Sequence, residues 1–322
     1  MGSTGELLQK LQEGRGDEAL RGLYALDGSD ASLGKGRERA VRVVRAFEAE
    51  FGARPEAALF SGPGRTEIGG NHTDHQHGRV LCGSVDLDML ACAAPNGTDL
   101  VRIQSEGYPA LEVDLRDLKV REEEKNSSPA LVRGVAARLA ELGCRPAGFD
   151  AYVTSTVLSG SGLSSSAAYE ILVATIIDCF FGGGTLDPVE RAKVGQYAEN
   201  VYFGKPCGLM DQMGSSVGGA VAIDFADPAA PVVKKVEYDF TRSGHALCIV
   251  DTGSCHADLT DDYADITREM GAVAAHFGKK FLRDVDEGAF RAALPQLRQE
   301  CGDRAVLRTM HFFEEDCRAE QE

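Results

Sequence analysis

Over the first fifty residues apolar side chains recur at helical spacing, and Val41, Val44, Phe47 and Phe51 form one stripe that stops at Gly52. That pattern predicts an appended helical layer. From Ala57 it gives way to short extended runs, AALFSG, VLCGSVDLDMLACAA, LVRIQS and LEVDL, punctuated by Gly, Pro and Asn, which predict an antiparallel or mixed sheet. A charged stretch from Arg121 to Lys125 precedes a predicted helix from Ser128 to Leu142, with Pro129 near its first turn and Gly143 just past its end. The strand FDAYVTSTV follows, then a Gly/Ser turn, a long apolar helix through Phe181 and an amphipathic helix from Asp187 to about Tyr202. AVAIDF, VVKKVEYDF and HALCIVDTG read as strands, with helices beginning near Asp258 and Glu287. The closing segment DRAVLRTMHFFEEDCRAEQE keeps helical periodicity to its last residue without Gly, Asn or Pro to end it, the pattern of a chain cut inside a helix.

Composition narrows the class. The 322 residues are 43% hydrophobic and 26% charged, enough to bury the core of one large domain or two smaller ones. Fifty acidic residues against 34 basic ones give a net charge of −16, and no Lys/Arg cluster is dense enough to follow a phosphodiester backbone, so nucleic acid is not an expected partner. The longest apolar stretch, Ile171 to Phe181, is interrupted by Asp178 and falls short of the roughly 18 residues of a membrane span. The start MGSTGELLQK has no apolar signal core and reads as a flexible terminus. Nine cysteines, without a C-x-x-C pair or a clustered His/Cys set, point to reduced thiols in a cytoplasm and to no structural zinc. The sequence sets no oligomeric state, and a monomer is compatible with it.

Three segments carry chemistry. The first is Gly160, Ser161, Gly162, Leu163, Ser164, Ser165 and Ser166, followed by Ala167 and Ala168, between a predicted strand and a predicted helix. Glycines let a backbone approach a phosphate, and the unpaired N–H groups and positive dipole end of the helix favour its charge. A flexible linker would not be flanked so closely by VTSTVL and ILVATIIDCFF. No Lys follows the glycines, so it is not a P-loop.

The second segment is GPGRTEIGGNHTDH, Gly62 to His75, read as a polar turn in which Arg65 could stabilise a transferring phosphoryl group and Asn71, His72 and Asp74 could grip sugar hydroxyls. A cation held by His72, Asp74, His75 and His77 is the competing reading, although this spacing on a turn fixes no coordination geometry. In the third, PCGLMDQM follows a helix carrying Glu199. A kinase acting on an alcohol needs one carboxylate to orient the hydroxyl and another to hold Mg²⁺, jobs that Asp211 and Glu199 divide naturally.

In this order the segments resemble the galactokinases, members of the GHMP family of small-molecule kinases. GPGRTEIGGNHTDH is similar to the galactokinase signature, LSGSGLSSSAA to the family's ATP-phosphate loop, and AENVYFGKPCGLMDQ to the segment with its catalytic aspartate; Asp251 to Tyr263 resembles a stretch ending in a sugar-contacting tyrosine. The resemblance implies an α+β, two-lobed fold with ATP and sugar meeting in a cleft. It implies an N-terminal helical extension over 1–55, a sugar- and ATP-binding lobe over 56–204 and an incomplete C-terminal lobe over 205–322. Arg65 would stabilise the transition state and Asp211 would be the catalytic base or hydroxyl-orienting group. Asn71, His72, Thr73, Asp74, Gly208 and Tyr263 would line the sugar site. Gly160, Ser161, Gly162, Leu163, Ser164, Ser165 and Ser166 would hold ATP, with Ser166 and Glu199 on Mg²⁺.

The chain departs from the family pattern in places. Asn71 stands where galactokinases usually carry Glu, Glu67 where Asn is usual, and Leu158 where Pro is usual; the family's third, Gly-rich motif is not found before Glu322. The implied activity is phosphorylation of the anomeric hydroxyl of galactose with MgATP. The alternatives are a GHMP kinase for another sugar such as N-acetylgalactosamine, motivated by Asn71, and a sensor that binds sugar and ATP without turnover.

Overall fold

The computed structural model describes residues 1–25, 27–157, 160–238, 244, 247–250 and 260–322, the last of these by backbone alone over 260–264. The N-terminal layer consists of α1 (Thr4–Gln12), α2 (Asp17–Tyr24) and α3 (Asp30–Phe51). A capping box made by Ser3 and Glu6 starts α1, satisfying two backbone donors that the helix cannot satisfy itself. The first residues are docked rather than loose: Gly2 pairs with Ala57, and Thr4 is fully buried.

The sheet has seven strands: β1 (Ala58–Gly69), β2 (Arg79–Pro95), β3 (Leu100–Ser105), β4 (Leu111–Asp114), β5 (Phe149–Ser155), β6 (Ala220–Asp224) and β7 (Val232–Val236). The long β2 organises it. One edge of β2 pairs with β1, while its other edge pairs with β6 near Arg79 and with β5 near Pro95. All pairings are antiparallel except β3 with β5, so the sheet is mixed. Side chains alternate across β2: Leu90, Cys92 and Ala94 join the core formed with α1–α3, while Ala91 and Ala93 face the opposite core. Burial on both faces explains why this strand reads as one apolar run.

The opposite face is covered by α4 (Ser128–Glu141), α5 (Ser165–Ile177), α6 (Pro188–Tyr197) and α7 (Met210–Val217), with wider π-helical turns at Asp178–Gly182 and Ala198–Phe203. The stretch Ser165–Gly182 is long and apolar enough to cross a membrane, longer than the apolar run read from the sequence, but 61% of it is buried in this core. A further group, α8 (Thr260–His276), α9 (Glu287–Ala292), α10 (Leu294–Glu300) and α11 (Asp303–Gln321), has its own core around Val273, Leu282, Phe290, Leu297 and Phe312. It joins the sheet through Arg79–Asp316 at 2.7 Å, Arg283–Asp224 at 2.8 Å and the Leu282 N–H donating to buried Gln76 at 3.0 Å.

Three expectations are changed. Gly62 to Gly69 is not a turn but the second half of β1, with bulges between Pro63 and Arg65 and between Glu67 and Gly69. Proline has no N–H for a ladder, so it falls at a bulge, and the Pro63 carbonyl there accepts from the Ser215 hydroxyl. A Cβ on Gly62 would overlap the Ala168 carbonyl of α5; the glycine is there for close packing. Residues 247–250 lie in no strand, and the rest of the expected strand HALCIVDTG includes residues outside the described ones. Finally, β6 and β7 extend the sheet that holds β1–β5, so strands from both sides of residue 204 share one sheet.

Candidate active site

Arg65 projects from β1 beneath the tip of α5. Its backbone N–H donates to the Leu163 carbonyl at 3.1 Å and its guanidinium to the Gly162 carbonyl at 2.7 Å, stitching the Gly/Ser loop to the sheet. The same guanidinium meets one Asp211 oxygen through Nε at 2.9 Å and Nη2 at 2.7 Å. The other Asp211 oxygen accepts the Ser164 hydroxyl at 2.7 Å. Burial pushes the Asp211 carboxyl up, but the Arg65 charge and the Ser164 and Arg65 hydrogen bonds outweigh it and hold the group below the ordinary aspartate value. Asp211 therefore stands ionised at neutral pH in the first turn of α7, where the helix dipole also favours it. The Cys82 thiol nearby is pushed up to about 12 by burial and offers no nucleophile.

The Gly/Ser loop takes left-handed backbone at Gly160 and Gly162, with φ of 78° and 76°, and again at Ser164, with φ of 56°. Ser164 is the N-cap residue of α5, so the free N–H groups of the first turn follow it. Ser165 and Ser166 are half-buried there, Leu163 is buried beneath them and Ser161 is half-buried on the loop. Ser164, assigned to ATP by the sequence, is engaged with Asp211. Leu158 lies outside the described residues.

The loop after β1 forms the adjoining wall. Asp74 is buried, and its carboxylate accepts the Met210 N–H at 3.2 Å and the His75 N–H at 3.0 Å, which anchors the start of α7 to the loop. Gly208 is required at this junction, because a Cβ would overlap the Asp74 carboxylate. His72 is exposed enough to meet a ligand. Thr73 is not: it is 1% exposed and its hydroxyl donates to the Arg79 carbonyl, so it shapes the turn and has no hydroxyl proton left for a sugar. Asn71 is exposed at the rim.

For the cation reading, ligand atoms of His72, Asp74 and His75 converge within 4.8 Å, while His77 stacks on Phe281 at 3.6 Å. His72, Asp74 and His75 supply at most one ligand atom each, fewer than the four of a closed structural zinc site.

Glu199 is buried on the π-helical turn after α6. Its oxygens meet Gln212 Nε2 at 2.9 Å and Lys205 Nζ at 3.6 Å, and among the described residues no hydrogen bond or ion pair joins it to Ser166. Gln212 Nε2 also donates to Glu170 at 3.0 Å, making a buried Glu170–Gln212–Glu199 cluster beside Asp211 that the sequence reading missed. Burial, with the Glu199 charge adding to it, raises the Glu170 carboxyl well above the ordinary range. Its sequence signal is a lone acid in YEILVATII. The side chain of Tyr263 and the segment 251–259 lie outside the described residues. A hollow of about 540 Å³ in the N-terminal layer, lined by Gln12, Arg37, Val41, Arg42 and Arg45, carries none of these groups.

Comparison with known proteins identifies the family. The galactokinase galactose-binding signature matches residues 45–95, and the GHMP kinases N terminal domain matches residues 130–219. Galactokinase of Streptomyces coelicolor is 33% identical over 275 residues, 85% of this chain and 70% of that protein. Human galactokinase is 31% identical over 269 residues, 81% of this chain and 67% of that protein. The structure of Lactococcus lactis galactokinase complexed with galactose superposes with a TM-score of 0.70 at 23% identity, covering 86% of this chain and 71% of that one. Methanococcus jannaschii mevalonate kinase, at 15% identity and a TM-score of 0.52, shares the fold over 82% of this chain and 80% of its own.

Proposed function

The chain belongs to the galactokinase family of GHMP kinases, and we propose that it transfers the γ-phosphoryl group of ATP to the anomeric hydroxyl of galactose. One observation carries the reading: the Arg65–Asp211 pair at 2.7 Å, set directly beside the tip of α5. A phosphoryl group crossing from ATP to an alcohol needs a cation at the migrating charge and an acceptor for the hydroxyl proton. Here both stand within reach of one helix N-terminus that favours anions.

In this reading Asp211 orients the anomeric hydroxyl and takes up its proton, while Arg65 stabilises charge on the phosphoryl group. Asn71, His72, Asp74, Gly208 and Tyr263 line the sugar site. The loop from Gly160 to Ser166 cradles the ATP phosphates with backbone N–H groups. The Ser166 hydroxyl and Glu199 carboxylate are hard oxygen donors that suit Mg²⁺, and buried Glu170 Oε1 beside this cluster has no partner among the described residues. When bound, Mg²⁺ neutralises charge on the β- and γ-phosphates. Residues 1–55 act as a helical extension, and because β6 and β7 complete the sheet that carries the site, the lobe for sugar and ATP runs beyond residue 204. Cys82, Cys92, Cys144, Cys179, Cys207, Cys301 and Cys317 are free thiols, which supports a cytoplasmic location.

An ADP-release assay of this chain with MgATP across a panel of sugars tests the reading. Galactose-dependent release is expected. Equal rates with galactose and an unrelated sugar, or none with any, would overturn it.

A further inference from the structure

Glu67 lies two positions beyond Arg65 on β1, on the same face of the strand, with its side chain 10% exposed. One of its oxygens accepts the His72 N–H at 2.7 Å and the other accepts Asn71 Nδ2 at 3.2 Å; His72 Nε2 lies 3.8 Å away. Asn71 is gripped from the other side as well. Its N–H donates to Glu315 at 3.1 Å and its carbonyl accepts from His311 Nε2 at 3.1 Å, both on α11. Three of the four polar groups of Asn71 are thus anchored. Among the described residues only its Oδ1 lacks a partner.

An ionised carboxylate accepts hydrogen bonds and cannot donate them, so the amide nitrogen must turn toward Glu67 and the amide oxygen away. We propose that Glu67 is a specificity-determining residue: by fixing the rotation of the Asn71 amide it offers the sugar a hydrogen-bond acceptor, Asn71 Oδ1, and so selects a sugar with a hydroxyl donor at that point. A site that pairs with a hydroxyl disfavours the analogue lacking it, here by the net worth of one hydrogen bond at an exposed rim. The negative charge behind the amide also disfavours acidic sugars such as uronic acids. Glu67 acts through Asn71 and is a positioning residue, not a catalytic one.

The inference rests on the sugar-kinase reading, and the test separates the two. Galactose and its single-position deoxy and O-methyl analogues are compared by calorimetry and by ADP release, with the intact chain, Glu67→Gln, Asn71→Ala and the double variant. In the intact chain one position of the sugar is expected to discriminate by roughly tenfold or more, the scale of one hydrogen bond. Glu67→Gln frees the amide to rotate, so the discrimination at that position shrinks toward that of Asn71→Ala while KM for ATP stays unchanged. The double variant is expected to be no worse than the worse single one, because both remove the same interaction. Discrimination unchanged in both single variants, or fully additive losses in the double, would overturn the proposal alone. Should Glu67→Gln fail to fold, exposed Asn71→Ala still decides it, since unaltered sugar preference there removes the acceptor. An intact chain that neither binds nor phosphorylates any sugar of the panel overturns the site reading and this proposal with it.

Discussion

Asp211 is held in a form that limits what it can do. The hydrogen bonds from Arg65 and Ser164 and the Arg65 charge keep it ionised, which makes it a weak base but a firm acceptor for a hydroxyl that must be aligned with the phosphoryl group. Asp211→Asn keeps the shape and removes the charge, so kcat is expected to fall roughly a hundred- to ten-thousand-fold. The same variant carries a stability signature. Because the folded pKa lies below the unfolded one, the carboxylate stabilises the fold above the unfolded value of about 3.9, and that contribution is lost as pH falls through the lowered folded value. Urea unfolding should therefore find Asp211→Asn less stable than the intact chain at pH 7, with the gap closing in acid. A gap independent of pH would mean that Arg65 and Asp211 are not coupled. Sequence alone could nominate Arg65 from its Gly-rich segment, but Asp211 only in combination with the other segments, because an acid in the first turn of a helix has an ordinary structural explanation. It could not nominate Gln212, an ordinary amide whose place between two buried carboxylates is set by the crossing of α7 with α5 and α6.

At the scale of elements, glycine marks where backbones touch, and the sequence pattern alone misreads it. Gly62–Pro63–Gly64 looks like a turn, yet it is strand, because glycine there admits α5 and proline falls at a bulge. Asp187 is legible as a helix start and caps α6, because capping is a local property of neighbouring residues, whereas MGSTGELLQK reads as a flexible terminus although Ser3 caps α1. Two glycines give a matched test. At Gly208 a Cβ would overlap the Asp74 carboxylate, so Gly208→Ala must part the loop from α7. A displacement of about 1 Å near reacting groups costs about a hundredfold, so kcat/KM should fall on that scale. Gly271, inside α8, has open space around it, and Gly271→Ala should leave activity intact while gaining about 0.5–1 kcal/mol of stability through helix propensity. Equal kinetics for the two variants would show that the junction of Asp74 with α7 tolerates movement.

For the whole molecule the question is which layers the site depends on. The loop holding Asn71, His72 and Asp74 is pinned by α11 on one side and by α7 on the other, so its geometry draws on segments more than a hundred residues away in sequence. The N-terminal layer is different. It touches the face of β2 opposite α5, where Asp88 accepts from Tyr24 at 2.6 Å and from Ser61 of β1 at 2.5 Å and pairs with Arg39, and it reaches β5 through Arg39 to the Thr154 carbonyl at 3.3 Å and Arg54 to Asp150 at 2.6 Å. The alternation of Leu90, Cys92 and Ala94 with Ala91 and Ala93 keeps the two cores apart. Phe47 sits fully buried in the outer core, with its ring 5.4 Å from that of Phe51. Truncating it leaves a cavity that packed neighbours fill only in part, so Phe47→Ala should cost about 3–5 kcal/mol in urea unfolding. If the sheet insulates the site, KM for sugar and for ATP should nevertheless match the intact chain at temperatures where the variant is folded. A KM that moves with the stability loss would mean instead that the layer reaches the site through Asp88, whose N–H and carbonyl both engage the Thr156 segment leading toward the Gly/Ser loop.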